Sequence, residues 1–125
     1  MREERGTIPG DVVVYEDFTL WGSVGGNVSV IDGGKFWLRG SVYGDLTVEA
    51  GGRCHILGSV TGNLSVAEGA KVIVSGTVGR DAVNLGGRLY IEPNAKIMGS
   101  VKTKSGETKR KQRDKGQDGK GQEEE

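Results

Sequence analysis

The side chains able to do chemistry are few, and their spacing suits it poorly. The single histidine, His55, directly follows the single cysteine, Cys54. As a catalytic base His55 would need an orienting carboxylate and a cleft, and no motif supplies either. Cys54 and Arg53 are adjacent, but strand alternation sends neighbouring side chains to opposite sides, so nothing electropositive faces the thiol. The expectation is an imidazole on a solvent-facing strand surface and a thiol packed as a small apolar filler. Glycine clusters such as Gly22-x-x-Gly25-Gly26 resemble phosphate loops only in composition. A phosphate cradle needs a helix N-terminus behind it, and no helical periodicity follows these glycines. Asp45, Glu49, Asp81 and Glu92 are spread along the chain without the pairing glycosidases use. One histidine also excludes a zinc site built from the histidines of one chain. The chain is expected to be non-enzymatic, with no cofactor and no metal.

The residues sit instead in a repeat. The chain has 125 residues, 23 of them glycine, and 34% are hydrophobic. Gly22-Ser-Val24, Gly40-Ser-Val42, Gly58-Ser-Val60 and Gly76-Thr-Val78 begin at intervals of 18 residues. Within each interval come Gly26-Asn-Val-Ser-Val30, Gly44-Asp-Leu-Thr-Val48 and Gly62-Asn-Leu-Ser-Val66, then Gly33-Gly34, Gly51-Gly52 and Gly69-Ala70. An apolar residue recurs every six: Val24, Val30, Phe36, Val42, Val48, Cys54, Val60, Val66, Val72 and Val78. The local alternation is that of strands, and no helical period competes with it. Strands this short and this evenly spaced stack if the chain winds as a three-sided coil, each residue lying over its counterpart 18 positions on. The fold class is therefore an all-β, single-stranded parallel β-helix (a solenoid of triangular cross-section) of about five turns, with no capping helices. Glycine should take the corners. The column Asn27/Asp45/Asn63/Asp81 fits corners too, by tolerating left-handed backbone and bonding neighbouring amides. After Gly76 the apolar sixes are expected to continue, shifted by one place, through Val83/Leu85, Leu89/Ile91 and Ala95/Ile97.

The repeat resembles that of the bactofilins, polymer-forming bacterial cytoskeletal proteins. The residues that carry the resemblance are Gly44-Asp-Leu-Thr-Val48 with Gly58-Ser-Val60, Gly62-Asn-Leu-Ser-Val66, and Ala82-Val-Asn-Leu-Gly-Gly87 with Leu89-Tyr-Ile91. The resemblance spans nearly all of residues 10–101 and implies a right-handed β-helix, nucleotide-independent filaments and the scaffolding of cell-shape or envelope machinery. Family members often carry an apolar or basic membrane-targeting stub, where this chain has Arg2-Glu-Glu-Arg5. The left-handed hexapeptide β-helix of many acyltransferases has the same spacing, so spacing alone leaves the hand open. An acyltransferase-like trimer is accordingly an alternative reading.

Two surfaces follow from the winding. The ends of an uncapped coil expose its last apolar layer: Val12, Val14, Phe18 and Leu20 at one end, Leu89, Ile91, Ile97 and Val101 at the other. Burying both by end-to-end stacking predicts an open homopolymer. On one outer side, Lys35/Arg53/Lys71 stack beside Trp37/His55/Ile73, with Arg39/Leu57/Ser75 beyond. This side is a candidate docking face for envelope or cytoskeletal proteins, and the basis of a second reading as a non-polymerising binding module. Trp21 and Tyr43 are expected outward on other faces.

Residues 1–9 read as a flexible stub, residues 10–101 as the β-helix domain, and residues 102–125, which hold no hydrophobic side chain, as a disordered charged tail. The 17 basic and 17 acidic residues balance, arguing neither for nucleic acid nor for a membrane surface. One cysteine and the lack of any long apolar run predict a cytoplasmic protein, or one peripheral to the inner face of the membrane.

Overall fold

The computed structural model describes residues 2–110, and these contain strands and turns but no helix. The chain enters as β1 (Arg2–Glu4), β2 (Thr7–Ile8) and β3 (Val12–Val14), one strand for each side of a three-sided coil. The same order repeats as β4 (Asp17–Leu20), β5 (Ser23–Val24) and β6 (Val28–Val30), then β7 (Lys35–Leu38), β8 (Ser41–Val42) and β9 (Leu46–Val48). It repeats again as β10 (Arg53–Ile56), β11 (Ser59–Val60) and β12 (Leu64–Val66), followed by β13 (Lys71–Val74) and β14 (Thr77–Val78). β15 (Ala82–Ile91) then covers two sides without a break, β16 (Lys96–Ile97) covers one, and β17 (Val101–Arg110) again covers two.

Each strand pairs in parallel with the strands one turn below and above. On the narrow side β2, β5, β8, β11, β14 and β16 form a six-stranded sheet. On the broad side β1, β4, β7, β10 and β13 lead into β15, which is also joined to the third side of β12, β9, β6 and β3. The solenoid thus has six turns, about 29 Å of stacked strands at 4.8 Å per turn. The expected five turns undercount it, because both terminal segments wind with the coil.

The core is a set of vertical apolar columns. Val24, Val42, Val60 and Val78 stand one above another on the narrow side. Val28/Leu46/Leu64 and Val30/Val48/Val66 do so on the third side. Phe18/Phe36/Cys54/Val72/Leu89 and Leu20/Leu38/Ile56/Val74/Ile91 line the broad side. All of them are buried. Branched aliphatic residues suit strands whose inner faces are wholly enclosed, and each such side chain contributes about 1.5–3 kcal/mol by leaving water.

Corners are made in two ways. Between the third and broad sides the chain turns through left-handed backbone at Gly33, Gly51, Gly69, Gly86 and Gly106. After the broad side the constraint is space: a Cβ on Gly40 would overlap the carbonyl oxygen of Gly22 one turn below. The Asx column works through its amide bonds alone, since no residue other than glycine has positive φ among those described. The Oδ1 of Asp11 accepts the N–H of Asn27 at 2.8 Å, Asn27 accepts from Asp45 at 2.7 Å, and Asp45 accepts from Asn63 at 2.8 Å. Asn63 then accepts from Asp81 at 3.1 Å, and Asp81 from Ser100 at 2.8 Å.

Both termini depart from expectation. Residues 2–8 are not a loose stub: β1 pairs with β4 and β2 with β5. Strand pairing uses the backbone and is indifferent to the charges on Arg2-Glu-Glu-Arg5. The tail is likewise a strand as far as Arg110, laid along the whole of β15. Residues 111–125, with the rest of the expected tail, lie outside the described residues. The shift in the apolar sixes is also different. Ala82 and Asn84 take the inward columns over Leu64 and Val66, while Val83 is half-buried and Leu85 exposed.

Candidate partner face and rod ends

The broad side carries the outward columns that the 18-residue spacing assembles. The first runs Asp17, Lys35, Arg53, Lys71, Arg88, Glu107. The second runs Glu3, Thr19, Trp37, His55, Ile73, Tyr90, Lys109. Lys35, Trp37, Arg53, His55, Lys71 and Ile73 are therefore neighbours on one surface, with Arg39 at its margin. Among the described residues, no carboxylate lies within ion-pair distance of Lys35, Arg53, Lys71 or Arg88. Two of these four cations lean on rings: Lys35 Nζ lies 5.7 Å from the Trp37 ring and Lys71 Nζ 5.8 Å from that of Tyr90.

Trp21 belongs here as well. Its indole is flanked by the guanidinium groups of Arg5 and Arg39, each 4.9 Å from the ring centroid. With Trp37, Lys35, Arg39, Asp17, Thr19 and Glu3 it borders a shallow groove of about 380 Å³. Placing Trp21 on another face was wrong, and the signal was available, since it stands 18 residues before Arg39. Tyr90 and Arg88 were missed because the corner inside β15, between Asn84 and Arg88, is one residue shorter than the one between Val66 and Lys71, so they align with Ile73 and Lys71 at a spacing of 17.

His55 is half-buried on this face. Its ring lies against Trp37, centroids 5.5 Å apart, and its Nε2 shares a hydrogen bond of 3.0 Å with the Ser75 hydroxyl. Desolvation lowers its pKa below the ordinary imidazole value, with Glu92 opposing the shift and Arg39 reinforcing it. A serine hydroxyl beside an imidazole has the first ingredients of a nucleophile. The pair lies on a strand face, however, without donors arranged around a reacting carbonyl. Cys54 is buried under Phe36 and Val72, and desolvation pushes its thiol pKa far up, which leaves little thiolate to react.

The ends differ from the apolar surfaces that were expected. Val14, Phe18, Leu20, Leu89 and Ile91 are each at most 1% exposed, Val12 is 9% exposed, and Ile97 and Val101 are partly covered. The terminal strands are the reason. Arg2 of β1 holds its guanidinium 4.5 Å above the Phe18 ring, and Thr108 and Arg110 of β17 lie over Leu89 and Ile91. Among the described residues, what the two ends offer is open strand edge bearing charge.

One buried polar residue holds the last turn in place. Asn84 is fully buried in a column of aliphatics. Its Nδ2 donates to the carbonyls of Gly87 (3.1 Å) and Glu107 (2.9 Å) and to the Thr108 hydroxyl (3.1 Å). Its Oδ1 accepts from the N–H groups of Gly86 (3.0 Å) and Gly87 (2.8 Å). Every hydrogen-bonding position of the amide is used.

Comparison with family models, curated proteins and solved structures finds no match. The face and the ends must be read from their own chemistry. Among the described residues no helix is long and apolar enough to cross a membrane.

Proposed function

We propose that this chain is a non-enzymatic structural protein whose solenoid adds copies end to end, without nucleotide, to build a scaffold for cell-shape or envelope-associated machinery. The observation that carries the reading is that, among the described residues, the open strand edges lie at the two ends of the rod: β1, β2 and β3 at one, β16 and β17 at the other. An open parallel edge is a template for the next strand, and on the broad side the same columns run from one end of the rod to the other. The bactofilin-like pattern of Gly44-Asp-Leu-Thr-Val48 and its copies points the same way. The driving force differs from apolar stacking, since Phe18 and Leu20 lie inside the core and substitutions there would unfold the coil rather than test a junction. Negative-stain electron microscopy of the purified chain at low salt, with no nucleotide added, should show filaments or strings of rods. Single rods at every protein concentration would overturn the reading.

A second role is compatible with the first. Four stacked cations beside Trp21, Trp37 and Tyr90 form a face suited to an acidic protein partner. Replacing Trp37 with Ala should abolish capture of that partner while leaving assembly intact. Unchanged capture would remove the face from consideration.

A further inference from the structure

The two ends of the rod carry opposite charge. Residues 2–20, which form the first turn and the strand above it, contain two basic and five acidic side chains. Residues 92–110, the last turn, contain five basic and two acidic. The net charges are therefore −3 and +3, while the residues between them nearly balance. The rod is an axial dipole, and each end repels its own kind.

Register sharpens this. Among the described residues, β1 is the first strand on the broad side and the Glu107–Arg110 half of β17 the last, and no strand pairs with the outer edge of either. Their side chains belong to the same columns. Arg2 begins the column that ends at Thr108, Glu3 the column that ends at Lys109, and Glu4 the column that ends at Arg110. A second copy continuing the same parallel pairing would set Lys109 against Glu3 and Arg110 against Glu4, at the strand spacing of about 4.8 Å. Opposite charges directly across a strand pair stabilise it and like charges disfavour it. Pairing β1 with a second β1 would instead bring Glu3 towards Glu3 within a net negative end.

We infer that the partner for each end of this rod is the opposite end of a second copy, so that the assembly proposed above is polar and held head to tail by Glu3–Lys109 and Glu4–Arg110. The inference rests on the end-to-end reading. The broad side has seven strands to the narrow side's six, so β1 meets β17 while the other two sides stay one strand's height apart. The junction is thus small, largely electrostatic, and weakened by salt.

Disulfide trapping tests it. Directly opposed residues on paired strands lie within disulfide reach, and Cys54 is buried, far from both ends of the rod. The E3C/K109C double variant, oxidised at low salt, should give a ladder of covalent oligomers, whereas E3C alone and K109C alone should stay monomeric. Adding E4K or R110E to the double variant should reduce the ladder about tenfold, and E4K with R110E together should restore it, with circular dichroism confirming that each variant keeps its β spectrum. Dimers from either single-cysteine variant, or a ladder unaffected by the charge reversals, would overturn the head-to-tail arrangement. Filaments in the microscope without a ladder would sink this inference alone. Single rods in both experiments would sink the end-to-end reading with it.

Discussion

The side-chain amide of Asn84 reaches up one turn and donates to the Thr108 hydroxyl at 3.1 Å, tying the last strand of the rod to the turn beneath it. The same Nδ2 donates to the Glu107 carbonyl at 2.9 Å. A polar strand with few apolar contacts is thereby attached through a group that cannot go unpaired without a penalty. Asn84→Ala would strand the N–H groups of Gly86 and Gly87 and the Glu107 carbonyl. It should cost about 1–3 kcal/mol, as for unsatisfied buried polar groups. Hydrogen exchange should accelerate over residues 101–110 before the rest of the coil. Uniform loss of protection along the whole chain would mean that the amide supports the core generally and not this strand.

Glycine at position 40 is a matter of room and at position 10 a matter of indifference. A Cβ on Gly40 meets the Gly22 carbonyl and the Trp21 carbonyl, both backbone, whereas one on Gly10 meets nothing within 4 Å. Gly40→Ala should therefore lower stability by about 2–3 kcal/mol through overpacking, while Gly10→Ala should stay within about 0.5 kcal/mol of the parent. Urea denaturation of the two variants measures the difference.

The Asx column alternates: Asp11, Asn27, Asp45, Asn63, Asp81. Each position needs only a side-chain oxygen to accept the next N–H, so alternation keeps that bond while separating carboxylates by two turns. N63D would place three carboxylates at successive turns, at positions 45, 63 and 81. The urea midpoint should fall at low salt and recover at high salt, because like charges a strand spacing apart repel and are screened. The Asp81 carboxyl is held below the usual carboxylate range, chiefly by accepting the Ser100 N–H, with Lys102 at 3.6 Å assisting. Removing that acceptor with Asp81→Ala should loosen the final corner.

Acid should weaken the fold through His55. Its folded pKa lies below the unfolded value of 6.5, so the folded state favours the neutral ring. The stabilisation is complete above pH 6.5 and is lost as pH falls from there towards the depressed folded pKa. Between pH 7.5 and 5 the wild-type urea midpoint should drop, and His55→Gln should drop less. Equal losses would assign the acid sensitivity to other groups.

The 18-residue interval was enough to place most of this molecule. Val24/Val42/Val60/Val78 and Phe36/Cys54/Val72 stack as their spacing requires, and so do Lys35/Arg53/Lys71 and Trp37/His55/Ile73 on the outside. A repeat of this kind translates sequence distance directly into a neighbour one turn away, so the face was legible wherever the interval held. It failed where a corner changed length. From Val14 to Asp17 the chain turns with two residues where the next three such corners use four, and the Arg88–Ile91 half of β15 and then β16 follow at spacings of 17 and 19. Those shifts hid Tyr90 and Arg88. Ala82 and Asn84 keep the 18-residue interval from Leu64 and Val66, and residue type concealed them, because a polar Asn84 takes the buried place beside an apolar Leu85 that is exposed.

The interior, the three-sided winding and the basic aromatic face were determined by the sequence alone, because apolar period and glycine position suffice to say which side chains must point inward. The ends were decided only in three dimensions. Composition marks Arg2-Glu-Glu-Arg5 and the stretch after Val101 as having nothing to bury. Their order comes from backbone groups on β4 and β15 that need partners, and from one amide, Asn84, placed where it can hold the last strand.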